Sequence, residues 1–389
     1  MSYIVHLAHD DKFIDRGFRQ FETVAPGQNR LVMRGKPRPL QFVKSSQVHF
    51  CSIREIKALF HDEQCIAVVF HSLHDFALLR HAPTSKPVVW IGWGYDYYGI
   101  LLSAAFPDGL LLPKTRKLLA ERSPVRRSIP SMCRSVVNRV LGRTARYHSR
   151  LLTKVRIFSP VLELEYQMAC QLNPWFKAKY IPWSYGLDAR DAISSGLPHE
   201  SQRPNILIGN SASYENNHVE IFDALERHVN LADRKLFVPL SYGGDNWYRE
   251  TIIGLGRRKF GDQFVPLTDF MPIDEYTALL RSCGHVFMNQ LRQQGAGNIC
   301  IIMQNGGKIY MNRRSPLYRW FVAEGGAVEA IDAIGHPSGS GATSLTALSM
   351  PDQLKNIDII NAHWGPEAQS KNMRRLIDEL MNKARTEPN

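Results

Sequence analysis

The sequence has no Asp-x-Asp pair, no GxxxxGK[ST] loop and no GxGxxG fingerprint. The first absence removes the closely spaced carboxylates that hold a divalent cation on a diphosphate. The other two exclude a P-loop and a dinucleotide fingerprint. Its six cysteines (Cys51, Cys65, Cys133, Cys170, Cys283 and Cys300) are scattered, with no CxxC and no tight His/Cys cluster. That pattern excludes a zinc site and a disulfide framework and fits reduced, buried thiols in a cytoplasm. No basic stretch followed by an apolar one opens the chain, so no signal peptide is expected. The most apolar run, Gly99 to Pro113, is broken by Pro107 and Asp108 and is too short to span a bilayer. A soluble or peripheral protein is expected.

Acidic residues are also nearly missing from one segment. Between Lys114 and Arg156 there are 13 Lys/Arg and a single acid, Glu121, so this stretch holds the whole net charge of +12. From Ser131 to Lys154 the spacing predicts a helix. Val136, Val140, Tyr147 and Leu151 form one stripe, and Arg139, Arg143, Arg146, Arg150 and Lys154 another. An apolar stripe beside an arginine stripe suits a helix on an anionic membrane surface; a helix packed on its own domain with a solvated basic face is the alternative. The same charge would attract nucleic acid, but no recognition-helix, RNP or zinc-finger pattern accompanies it, and no nucleic-acid partner is expected.

What is present is α/β grammar. At 389 residues the chain is long enough for two cores. Short apolar runs alternate with helical patterns, the signature of parallel sheets. Strands are predicted at 3–8, 65–71, 87–94, 155–160 and 179–185, and helices at 52–61 and 161–171. A Gly/Ser/Pro-rich linker covers 186–204. The pattern then restarts with strands at 205–209, 235–242, 264–268, 285–290 and 308–312. Helices are expected near 214–229, 245–258, 273–283 and 298–305, and a terminal one at 366–386. The domains so read are 1–190, 205–350 and a C-terminal helical region, 351–389, packing back across both.

In doubly wound sheets ligands bind beyond the carboxyl ends of the strands. Three segments of the second half fit that place: GNSASYENNH (209–218), VPLSYGG (238–244) and RQQGAGNICIIMQNGG (292–307). The third ends a strand in Arg292 and two glutamines, turns through Gly-Ala-Gly and starts a helix. Free N–H groups and the helix dipole there favour a diphosphate, and Arg292 adds a charge-assisted bond; an ordinary strand–turn–helix junction is the alternative. With no Asp-x-Asp, a leaving diphosphate would be stabilised by dipole and Arg292, without metal. In the first half His6, His9, His71, His74 and Trp93-Gly94-Tyr95-Asp96 gather at strand ends. A hydroxyl acceptor needs a base within reach, and Asp96 and His71 are the candidates. His71 and His74-Asp75 also suggest metal ligation, but no third cluster joins them.

These residues resemble a known family, the bacterial TDP-N-acetylfucosamine:lipid II N-acetylfucosaminyltransferases, or 4-alpha-L-fucosyltransferases. The likeness lies in ILIGNS (206–211) with Asn217 and His218, VPLSY (238–242), DEYTALLRSC (274–283), RQQGAGN (292–298), Asn312-Arg313 and Pro316, with His71 and WGYDYY (93–98) in the first half. The resemblance implies a GT-B glycosyltransferase, two Rossmann-like domains facing each other across a cleft. It implies transfer of a deoxy or acetamido sugar from dTDP to an undecaprenyl-diphosphate-linked saccharide, with no metal cofactor, at the cytoplasmic face of the inner membrane. Donor contacts would fall on Gly209, Asn210, Ser211, Asn217, His218, Ser241, Tyr242, Gln293, Gln294, Gly295, Gly297 and Asn298, with Arg292, Asp96 and His71 catalytic. A UDP- or GDP-sugar donor, or a non-catalytic protein binding anionic membranes or nucleic acid, are the alternatives.

Overall fold

A computed structural model describes residues 2–122, 147–186, 203–334 and 343–386. They form two compact units. The first holds residues 2–107, 147–186 and 367–386, and the second 108–122, 203–334 and 343–366.

The first unit is built on seven parallel strands: β1 (Tyr3–Leu7), β2 (Asn29–Arg34), β3 (Val48–Cys51), β4 (Cys65–His71), β5 (Val88–Ile91), β6 (Ile157–Ser159) and β7 (Lys179–Tyr180). Their order is β3-β2-β1-β4-β5-β6-β7. The chain therefore reverses direction across the sheet between β1 and β4, a switch point at which two loops diverge. β1, β4 and β5 lie inside the sheet and read as continuous apolar runs because both faces are covered. β2, which begins in Asn29 and ends in Arg34, and β3, which is only partly buried and carries His49, lie at one side and were not expected from the sequence.

Helix α1 (Ile14–Val24) buries Ile14, Phe18 and Phe21 on one face. α2 (Ile53–His61) starts at a capping box, in which the Ser52 side chain accepts from the Glu55 N–H while Glu55 reaches back to the Ser52 N–H. α3 (Phe76–His81) is capped by Asp75. α4 (Pro113–Arg122) belongs to the second unit, and α5 (Glu163–Leu172) follows β6.

The second unit carries β8 (Asn205–Ile208), β9 (Val229–Asn230), β10 (Leu236–Pro239), β11 (Phe264–Leu267), β12 (Cys283–Met288), β13 (Lys308–Met311), β14 (Glu329–Ala330) and β15 (Thr343–Ser344). Its main sheet, also parallel, runs β11-β10-β8-β12-β13-β14, which places a switch point between β8 and β12; β15 and β9 form a separate pair. Its helices are α6 (His218–His228), α7 (Asn246–Phe260), α8 (Ile273–Arg281), α9 (Ala296–Gln304), α10 (Pro316–Ala323) and α11 (Met350–Trp364). The core joins Ile206, Ile208, Phe222, Val238, Tyr248, Ile252 and Phe287.

The expected terminal helix at 366–386 is present, and another helix, α11, precedes it. α11 packs within the second unit, where Gln304 donates to Asn361 at 3.3 Å. α12 (Pro366–Thr386) lays Met373, Leu376, Ile377 and Leu380 on the first unit's sheet beside Val69, Val89 and Ile181. Of the basic stretch, residues 123–146, with Val136, Arg139, Val140, Arg143 and Arg146, lie outside the described residues. The rest divides between the units. In 114–122, Lys114 pairs with Asp223, Arg122 with Asp245, and Arg116 donates to the Asp108 and Leu111 carbonyls. In the first unit Lys154 donates to the carbonyls of Arg80 and Ala82 at 2.7 and 2.8 Å. These cations are held by their own unit, while Arg150 is exposed.

Candidate functional site

In the second unit the three sequence segments meet at the switch point. Beyond β8, Gly209 takes φ +66°, and a Cβ there would lie 2.7 Å from Asn216 Oδ1 and 3.1 Å from His218 Nε2. Only glycine suits that backbone. The Asn210 N–H donates to Asn216 Oδ1 at 3.0 Å, and Asn210 Oδ1 accepts from Gln290 at 3.2 Å and Gln294 at 2.9 Å. Asn210 also donates to the Tyr242 hydroxyl at 3.3 Å, and the Ala212 N–H to the Tyr242 carbonyl at 2.7 Å, which binds the 241–244 loop to the group. Ser211 Oγ accepts from Asn216 and Gln294 at 3.2 and 3.4 Å. Ser241 sits half-buried beside the exposed Tyr242.

α9 starts on the other side of the switch point. Its N-cap is Gly295 at φ +69°, with no side-chain cap, so the first N–H groups keep their donor capacity. Gly297 in its first turn is exposed, and the space where a side chain would stand is open. Asn298 donates to the Tyr276 hydroxyl at 2.8 Å. Arg292 is half-buried, donates to the Gln293 carbonyl at 3.3 Å and forms no ion pair among the described residues. Gln293 is buried. Gln294 Oε1 is buried without a partner. An uncapped helix start and an arginine with no carboxylate among the described residues suit an anion, and the buried Gln294 acceptor suits a hydroxyl or N–H donor on the same ligand.

Asn217 and His218 serve the frame. Asn217, at φ +52°, donates to the carbonyls of Glu215, Asn289 and Leu110 and accepts from the Leu112 N–H at 2.8 Å. It therefore ties the 110–112 stretch to the end of β12. His218 is buried, with Nδ1 3.1 Å from the Tyr248 hydroxyl and Nε2 unpartnered, and burial lowers its pKa to about 3. Two members of the group were missed in the sequence. Asn216 and Gln290 are buried and hydrogen-bonded to each other at 2.6 Å. Gln290 looked like the last residue of a strand, and Asn216 like one of several polar residues before a helix.

The first unit's switch point is built differently. His6, His71 and Tyr185 form a buried ladder whose tautomers follow from its end. Asn29 Nδ2 donates to Glu22 and to the Ala25 carbonyl, both at 2.7 Å, so Asn29 Oδ1 must accept from His6 Nε2 at 3.0 Å. His6 Nδ1 then accepts from His71 Nε2 at 3.1 Å, and His71 Nδ1 accepts from the Tyr185 hydroxyl at 2.7 Å. The Tyr185 oxygen accepts in turn from Trp93 Nε1 at 2.9 Å. Both imidazoles are neutral: burial pushes His6 down to about 4 and His71 well below its ordinary value. Just past β4, Ser72 holds φ +68°, a strained conformation for a residue with a side chain.

Asp96 is likewise interior. Its carboxylate accepts from the Trp93 N–H at 2.8 Å, Trp90 Nε1 at 2.7 Å and the Leu73 N–H at 2.9 Å. Burial raises its pKa against these three bonds, which lower it. Asp96 thus pins the loops after β4 and β5 together. His9, His74 and Tyr95, by contrast, are exposed at the same strand ends. His9 and His74 meet edge to face with centroids 4.5 Å apart, and His74 bonds the Tyr95 hydroxyl. Among the described residues no group of three His, Cys, Asp or Glu is placed to hold a metal ion, and no helix is long and apolar enough to cross a membrane.

Comparison with known proteins accords with this architecture. Residues 150–331 match the family described as 4-alpha-L-fucosyltransferase glycosyl transferase group 56. Among solved structures, trehalose-6-phosphate from E. coli bound with UDP-2-fluoro glucose is 10% identical, with a TM-score of 0.61 over 100% of both chains. The sucrose-phosphate synthase of Thermosynechococcus elongatus is 11% identical, with a TM-score of 0.60 over 98% of this chain and 100% of its own. The UDP-forming alpha,alpha-trehalose-phosphate synthase of Burkholderia vietnamiensis is 12% identical, with a TM-score of 0.58 over 99% of this chain and 98% of its own. At such identities the likeness speaks for the fold, GT-B, while the family match speaks for the activity and removes the non-catalytic readings. This chain is a glycosyltransferase of the GT-B fold, and its residues 150–331 are similar to the group 56 4-alpha-L-fucosyltransferases.

Proposed function

We propose that the chain transfers a deoxy or acetamido sugar from a dTDP-linked donor to a lipid-linked saccharide of bacterial surface polysaccharide assembly. The observation that carries the reading is the switch point of the second unit. There the open start of α9, Arg292 and the unpartnered Gln294 Oε1 adjoin the Gly209–Ser211 loop. This unit would hold the nucleotide diphosphate, with Arg292 and the α9 dipole stabilising the charge of the departing group, without metal. The saccharide acceptor falls to the first unit. Its buried Asp96 and His71 hold the strand-end loops rather than meet the acceptor. The basic stretch 114–156 supports attachment to an anionic membrane surface, on the cytoplasmic face, and an undecaprenyl-diphosphate acceptor would lie there.

A thermal-shift series with dTDP, UDP and GDP, each with magnesium and with chelator, tests the donor. The reading expects dTDP to raise the melting temperature most, and equally in chelator. A larger shift with UDP would move the donor to a UDP-sugar, and a shift seen only with magnesium would end the metal-free assignment. No shift with any nucleotide would sink the site.

A further inference from the structure

We propose that His9, just beyond the carboxyl end of β1, is the catalytic base that takes the proton from the acceptor hydroxyl. The inference rests on the transfer reading for its substrate and on the first unit's geometry for its residue. A base must offer an unengaged lone pair where a substrate can reach it. Most titratable groups at these strand ends fail that requirement. His6 and His71 are spent on the buried ladder, and Asp96 on three donors. Asp10 accepts from the N–H groups of Gln41, Phe42 and Val43 at 2.6 to 3.0 Å. Asp75 pairs with Arg34 and caps α3. Asp11 is half-buried and takes bonds from the N–H groups of Lys12 and Phe13. His74 is bonded to Tyr95.

His9 alone of these groups is exposed with both ring nitrogens free of hydrogen bonds among the described residues. Its edge-to-face contact with His74 restrains the ring. The charged and titratable groups around it are His74, Asp75 and Arg38. Desolvation first, then His74 and Arg38, lower its proton affinity, and Asp75 opposes them. These effects favour the neutral ring, whose free lone pair can accept a proton. In the step itself the acceptor oxygen bonds the anomeric carbon and its proton passes to a His9 nitrogen. The bond from that carbon to the diphosphate oxygen breaks, and its electron pair leaves on the nucleoside diphosphate. Imidazolium then releases its proton to water.

The test uses the full chain and the nucleotide-sugar donor that the wild type turns over. His9→Gln is expected to lower kcat at least about 100-fold. Its melting temperature and its nucleotide-induced shift should stay at wild-type values, and added imidazole should partly restore His9→Ala. In the wild type the acidic limb of the kcat profile should follow one group titrating below the ordinary histidine range, and His9→Gln should lose that limb. A rate for His9→Gln within threefold of wild type overturns the proposal. So does a loss that appears in Asp11→Asn while His9→Gln keeps its rate. Absence of any nucleotide shift in the wild type condemns the donor site instead, and is read in a separate assay.

Discussion

The two units share one strand order around their switch points, yet treat polar groups there in opposite ways. In the first unit the groups closest to the sheet satisfy one another, from Asn29 through His6 and His71 to Tyr185 and Trp93, with Asp96 saturated beside them. In the second, the Asn210–Asn216–Gln290 group is held together but stops short: Gln294 Oε1 and His218 Nε2 lack partners and α9 lacks a cap. A buried polar group without a partner costs free energy. A site that keeps one gains that back when a ligand supplies the missing bond. The comparison shows that a fold supplies a place for a ligand, whereas the unsatisfied groups supply the reason for one to bind.

The largest effect expected concerns acid, because both units bury neutral imidazoles. The folded pKa of His6 is about 4, and those of His218 and of His285, buried on β12, about 3, all below the unfolded value, with His71 displaced the same way. The unfolded chain therefore binds the extra protons. This stability is complete above about pH 6.5 and fades as pH falls toward the folded values, by about 1.4 kcal/mol per pH unit for each histidine. Unfolding free energies from urea titrations at pH 7, 6 and 5 should drop by several kcal/mol in all. A flat series would mean that the ladder accepts charge.

Next in size is Arg292→Ala. Loss of its charge at the start of α9 should remove about 2–4 kcal/mol of transition-state stabilisation in kcat/KM, with little change in melting temperature. Retention of full turnover would remove Arg292 from the diphosphate. Smaller and more discriminating is a pair of variants. Tyr185→Phe leaves His71 Nδ1 and Trp93 Nε1 unpaired, and Asn216→Ala leaves the Asn210 N–H and Gln290 unpaired. Each should cost about 1–3 kcal/mol of stability, but only Asn216→Ala should weaken the nucleotide shift. Equal effects on binding would erase the distinction between the units. Smallest is Lys114→Ala, which breaks a half-exposed pair with Asp223 and should cost under about 1 kcal/mol.

Much of the frame was legible because it is local. Cys65–His71 reads as a strand since a central parallel strand must be apolar on both faces, and 366–386 reads as a helix from its period. β2 and β3 were missed because strands away from the centre bury less and carry arginine, asparagine and histidine. For the site, the segments 209–218, 238–244 and 292–298 stood out by their glycines and amides, and they do converge. The same signals put His71 and Asp96 forward although both are buried and hydrogen-bonded, since a strand end looks alike whether it is sealed or open.

The sequence by itself therefore determined the alternation of strands and helices, the turns that glycine must make at 209 and 295, and the concentration of charge in 114–156. Those depend on neighbours a few residues apart. Tertiary structure alone decided that α12 covers the first unit, that 114–122 is tied to Asp223 and Asp245, and which polar groups are left without partners. Hydrogen-bond satisfaction joins residues as distant as Asn210 and Gln294 or His71 and Tyr185, and it exists only once the chain has brought them together.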